Sequence, residues 1–134
     1  MADGHVDVPT GDAEYVFIAR VRLSPDPPDV RIEPAVIETT LFKRAPPPGD
    51  AGWLFFRDHL WRGQVNDETH VRSLAEAWLD TEIEEISFRE LRTDDVYLDA
   101  LKAEIGANLA LFRADNVADV LKKYLGSSIH VRKK

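Results

Sequence analysis

Apolar and polar positions first alternate clearly in EYVFIARVRL. Tyr15, Phe17, Ala19, Val21 and Leu23 share one side of an extended chain, with Arg20 and Arg22 on the other, and this predicts a strand over 14–23. SPDPPD cannot continue it and predicts a turn. AVIETTLFKR is rich in β-branched residues and predicts a second strand, returning as a hairpin partner. After the proline-rich break APPPGDAG the period changes. Val71, Leu74, Ala75, Trp78 and Leu79 recur at helical spacing behind an Asn66 or Asp67 cap. TEIEEISFRELR restores alternation once a bulge is allowed at Glu84 and Glu85.

A longer helix is predicted from a Thr93 cap through Phe112, carrying Leu98, Leu101, Ile105 and Leu109 on one side. Gly106 within it suggests close packing against a neighbouring backbone. A last helix begins at an Asp115 cap and stops at Gly126, and SSIHVR closes the chain as a short strand. The order β-β-α-α-β-α-α-β predicts a single α+β domain, with helices on one face of a mostly antiparallel sheet. The domain is expected over 14–132, with a flexible lead at 1–13 and a basic tail at 133–134.

One stretch resists a simple reading. WLFFRDHLWRG, residues 53–63, packs two Trp, two Phe, two Leu and two Arg into eleven positions. Wound as a helix behind an Asp50 cap, it gathers Trp53, Leu54, Phe56, Leu60 and Trp61 on one arc. Phe55, Asp58, His59 and Arg62 fall on the outward side, with Asp58 and Arg62 spaced to pair. Arg57 lands on the apolar arc, where a guanidinium needs a carboxylate or carbonyl partner. The outward residues Phe55, Asp58, His59 and Arg62 form the candidate docking patch, since aromatic and arginine side chains are favoured binding anchors.

Composition narrows the setting. At 134 residues the chain suits one domain with a core of its own. It has no cysteine, which excludes disulfides, thiolate metal sites and cysteine nucleophiles, and with no secretory pattern at the start the expected location is the cytoplasm. No apolar run is long enough to suggest a membrane span. The 24 acidic residues outnumber 17 Lys and Arg, giving a net charge of −7. Lysine-poor acidity suits high-salt cytoplasm, where carboxylates hold water and cations. The acids concentrate in 64–104, whereas 122–134 holds only bases among its charged side chains.

FFRDHLWRG, ISFRELRTDD and KYLGSSIHV together resemble the LWR-salt family, small haloarchaeal proteins named for a Leu-Trp-Arg triplet, here Leu60, Trp61 and Arg62. The resemblance spans about Glu14 to Val131. It implies a halophilic archaeal cytoplasm and supplies no reaction.

The residues themselves offer little chemistry. Histidines 5, 59, 70 and 130 lack paired ligand spacing, so no metal or other cofactor is expected. Asp94, Asp95 and Asp99 suit a helix N-terminus better than a cation site. GSS at 126–128 follows a helix rather than preceding one, the wrong order for a phosphate loop. The expected function is therefore a non-enzymatic protein-interaction module that docks a partner or itself through the outward side of 55–62 and the adjoining sheet. One alternative is RNA or ribonucleoprotein binding through Arg20, Arg22 and Arg132, which needs the first and last strands to be neighbours. A second is a small hydrolase, which needs a cleft joining Arg57 or His59 to the acids of 94–99.

Overall fold

The computed structural model describes residues 11–132. Strand β1 (Ala13–Arg22) pairs antiparallel with β2 (Val36–Arg44) on one side and β5 (Ile83–Thr93) on the other. β6 (Ile129–Val131) adds to β5 in parallel, so the strand order is β2-β1-β5-β6. Helices α2 (Glu68–Leu79), α3 (Asp95–Ala107) and α4 (Val117–Leu125) complete a single α+β domain, whose order departs from the expected one only by a short hairpin and a 3₁₀ turn. Ala13, within the stretch expected to be a lead, is buried as the first residue of β1. The Asp12 amide before it donates to Asp94 Oδ2 at 2.9 Å. Residues 1–10 and 133–134, including His5 and the lysine tail, lie outside the described residues.

The alternation in β1 sets the core. Tyr15, Phe17, Ala19 and Val21 are all buried on the helix side, whereas Arg20 faces solvent. β5 matches them only because it carries two register shifts. Arg20 stands opposite Glu85 but Val21 opposite Ile83, and Val16 opposite Glu90 but Phe17 opposite Phe88. These bulges turn Ile83, Ile86, Phe88 and Leu91 all inward, which strict alternation over that stretch would not allow. α2 also secures the bulged segment by hydrogen bonding. The amides of Ile83 and Ile86 donate to Glu76 Oε2 (2.9 Å) and Glu68 Oε2 (3.2 Å).

Of these three helix starts, one agrees with the sequence reading and two differ from it by a residue. Asp67 caps α2, accepting from the His70 amide, as one of the two expected candidates. α3 is capped by Asp94, which accepts from the Tyr97 amide at 2.7 Å, while the expected cap Thr93 is the buried last residue of β5. α4 is capped by Asn116 rather than Asp115. α3 stops at Ala107 and a 3₁₀ turn follows at Leu109–Phe112. Gly106 is exposed, and a Cβ there would meet the Val117 side chain at an ordinary 3.4 Å, so it marks no close backbone approach. At the far end of α2, Trp78 and Leu79 are part-exposed, although the Trp78 ring still reaches Phe17 at 6.1 Å.

Candidate functional site

The segment 53–63 is not one helix. Helix α1 is only Phe55–His59, with Leu54 at its N-cap and no capping side chain, so Asp50 does not serve as its cap. At Leu60 the backbone becomes extended (φ −123°, ψ 152°), and β3 (Leu60–Trp61) pairs with β4 (Gln64–Val65) as a minimal hairpin. The turn between them is Arg62-Gly63, both at positive φ (53° and 80°), the two-residue geometry whose twist matches paired strands. Asn66 anchors the hairpin base, its amide donating to the His59 carbonyl at 3.0 Å.

The change of backbone decides which side chains face out. Trp53, Phe56 and Leu60 are buried, as the helical arc predicted. Trp61 is 45% exposed, because in a strand it faces opposite to Leu60. Phe55 is correspondingly not exposed: it wedges between Tyr15 (ring centroids 4.7 Å), Phe17 and Trp78. The expected Asp58–Arg62 pair does not form. Asp58 instead pairs with Arg57 at 2.9 Å, and that guanidinium is part-exposed rather than buried.

The outward patch is therefore split in two. Phe55, Asp58 and His59 line a trough beside 49–54, whereas Arg62 belongs to another surface. In the trough, the His59 ring packs tilted against Phe55 (4.5 Å between centroids) and lies 5.3 Å from the His70 ring, a pairing with no trace in the sequence spacing. His59 Nδ1 is buried without a hydrogen-bond partner. Burial lowers the His59 pKa below its ordinary value; the Asp58 carboxylate opposes this and His70 adds to it. None of Asp94, Asp95 or Asp99 lines the trough, so it is not the cleft that a hydrolase would need. Among the described residues, no three His, Asp or Glu side chains gather as a metal site.

Arg62 and Gly63 meet the end of α4. A helix leaves its last four carbonyls without intrahelical donors. Here the Lys122 carbonyl accepts from the Gly126 amide (3.1 Å), Lys123 from Arg62 (2.9 Å), Tyr124 from Gly63 (2.9 Å) and Leu125 from Ser128 (3.0 Å). The hairpin turn thus supplies the two middle donors of a four-part cap. Contact is close enough to require glycine on both sides. A Cβ on Gly63 would sit 2.9 Å from the Leu125 oxygen, and one on Gly126 would sit 2.9 Å from the Arg62 oxygen. The Ser128 amide and hydroxyl both go to the Leu125 carbonyl, which leaves GSS structural. The ISFRELRTDD segment joins through β5, whose Leu91 amide donates to the Ser128 carbonyl.

These three segments converge on one corner of the fold. The chain belongs to the LWR-salt protein family, which it matches over residues 11–134. No curated protein and no solved structure matches the chain. In this LWR-salt protein the triplet divides its work: Leu60 fills the core, Trp61 stays at the surface and Arg62 caps α4 through its backbone.

Around Trp61 lies a cleft of about 680 Å³, lined also by Arg62, Arg113, Ala114, Asp115, Asp119, Lys122, Lys123 and Gly126. The Trp61 ring stands edge-on to Tyr124 at 5.9 Å, with the Arg62 and Lys123 cations 5.8 and 5.9 Å from its centre. Lys123 Nζ also donates to the Phe112 carbonyl at 2.8 Å, which ties the 3₁₀ turn to α4. Four cations against two carboxylates give the lining a charge of +2 in a chain of −7. Because main-chain amides already satisfy the α4 carbonyls, the Arg62, Arg113 and Lys122 side chains are not needed for capping. Sequence reasoning missed this cleft because Arg113 comes from a turn far along the chain.

The basic sheet face required for the RNA alternative does not assemble. β5 separates β1 from β6, which keeps Arg132 away from Arg20 and Arg22. Arg22 is held by Glu84 at 2.5 Å, and Arg20 lies across from Glu38 and Glu85.

Proposed function

We propose that this LWR-salt protein is a non-enzymatic interaction module that docks an acidic segment of a partner protein in the Trp61 cleft. The observation that carries this reading is Trp61 itself, a large aromatic left 45% exposed and ringed by cations in an acidic chain. Trp and Arg are the side chains most often dominant in protein interfaces. Charge alone would be a poor anchor in concentrated salt, where screening acts over roughly 3 Å at molar ionic strength. An aromatic that must leave water retains its driving force there. This fits the setting that the family resemblance and the acidic composition support, the cytoplasm of a halophilic archaeon. No helix among the described residues is long and apolar enough to cross a membrane.

The test is a pull-down from native lysate at the cell's own salt, with and without nuclease, using the wild type and Trp61→Ala with Arg113→Glu. The expected result is a protein recovered in stoichiometric amount after nuclease treatment and lost with the double variant, whose melting temperature stays within a few degrees of wild type. Recovery that nuclease abolishes would replace this reading with RNA binding. Recovery that the variant leaves intact would move the docking surface elsewhere.

A further inference from the structure

We propose that the chain forms a twofold homodimer by antiparallel pairing of β2 with β2 of a second copy, centred on Leu41. The proposal rests on β2 and its flank and is independent of the Trp61 reading, whose residues lie on β3, α4 and the turn before α4.

β2 is the outer strand of the sheet, nine residues long, with no proline and no register shift against β1. Proteins usually shorten, bend or cover such an edge, because its free peptide groups invite another strand. The fold does so elsewhere: the bulged half of β5 has its Ile83 and Ile86 amides taken by carboxylates of α2. Among the described residues, β2 has no equivalent cover.

Which groups are free follows from the ladder. At its ends Leu23 donates to the Ala35 carbonyl and Ala45 donates to the Ala13 carbonyl, so odd-numbered residues of this strand bond to β1. The peptide groups of Val36, Glu38, Thr40, Phe42 and Arg44 therefore face the open edge. Exposed apolar surface lies there as well. Leu41, Phe42 and Lys43 line a trough of about 210 Å³ with the part-exposed Trp78 and Leu79 of α2, and on the opposite face of the strand the Phe42 ring is 51% exposed.

A second copy of β2 matches this edge in one register better than its neighbours. With Leu41 opposite Leu41 of the partner, Thr40 and Phe42 pair reciprocally and Glu38 stands opposite Arg44 at both ends. Those four pairs supply about eight main-chain hydrogen bonds. The two Leu41 side chains then meet on the helix side, beside the Trp78 and Leu79 trough of each copy. Shifting the centre to Thr40 would instead place Glu38 against Phe42 and Arg44 against Val36, unpairing every charge. Opposite charges directly across a strand pair stabilise it and like charges oppose it, so charge selects the register.

The experiment is sedimentation velocity over a concentration series on the wild type, Thr40→Pro, Glu38→Arg, and Glu38→Arg with Arg44→Glu. Thr40→Pro removes an amide that faces the open edge and leaves the β1 ladder whole, so it should abolish the dimer. Glu38→Arg should weaken dimerisation roughly tenfold, and the charge exchange should restore it. Because the chain has no cysteine, Leu41→Cys introduces a single thiol at a non-hydrogen-bonded symmetric pair, a geometry within disulfide reach. It should crosslink under mild oxidation, whereas Lys43→Cys, which faces Thr39 of the partner, should not. A wild type that sediments as a monomer throughout overturns the proposal. So does a dimer indifferent to the proline and charge variants, or equal crosslinking at positions 41 and 43.

Discussion

The two parts of WLFFRDHLWRG, WLFFRDH and LWRG, each carry a Trp, a Leu and an Arg and meet opposite fates. Residues 53–59 turn their aromatics inward, so that Phe56 stacks on Phe112 at 5.7 Å and Phe55 wedges against Tyr15. Residues 60–63 form a strand and a turn that leave Trp61 in solvent while their backbone caps α4. Aromatic density therefore says little about binding on its own. What separates a core aromatic from a surface one here is the backbone state, since one residue of extended chain at Leu60 sends the next side chain to the other face.

Four substitutions sharpen the contrast, and the largest effect is expected from Phe56→Ala. This side chain is 1% exposed, and its truncation should cost about 3–5 kcal/mol in chemical denaturation. A loss below about 1 kcal/mol would mean that the first half is not core. Gly63→Ala comes next. It forces a side chain into a left-handed turn and against the Leu125 carbonyl, and it should cost roughly 3 kcal/mol by the same measurement. If it proved neutral, the interlock between hairpin and α4 would be discarded.

Trp61→Ala should be far milder for the fold, about 1 kcal/mol or less, with its main effect on partner recovery. A stability loss as large as that of Phe56→Ala would return Trp61 to the core. The smallest effect concerns His59. Its folded pKa is lowered, chiefly by burial, so the unfolded chain takes up the proton first. Stability should be undiminished above the unfolded value of about 6.5 and decline as pH falls through it. The wild type should thus lose more melting temperature between pH 7.5 and 5.5 than His59→Gln, and equal slopes would assign the loss to other groups.

Much of the fold was legible because it follows from local period. The alternation in β1, the helical spacing before Leu79, the bulge at Glu84 and the stop at Gly126 are short-range patterns, and each appears in the structure where its residues predict it. The caps of α3 and α4 were legible only to within a residue, Asp94 for Thr93 and Asn116 for Asp115, because adjacent polar residues offer nearly equivalent side-chain acceptors, whereas the Asp50 cap expected before α1 is absent. The candidate site was less legible. Phe55, Asp58 and His59 do line one trough, but Arg62 turned away from them, and Arg57 found its carboxylate next door at Asp58.

By itself, then, the sequence determined the α+β class, the core face of β1 and the family, since these depend on residue periodicity and on motifs spread along most of the chain. Tertiary structure alone decided that residues 60–65 leave the helix, that Trp61 is exposed, that Arg113 joins Arg62, and that His59 meets His70. Each of these outcomes rests on a contact between segments remote in sequence. The clearest is the α4 end, whose unsatisfied carbonyls draw the Arg62 and Gly63 amides and thereby hold a turn for which a helical pattern had competed.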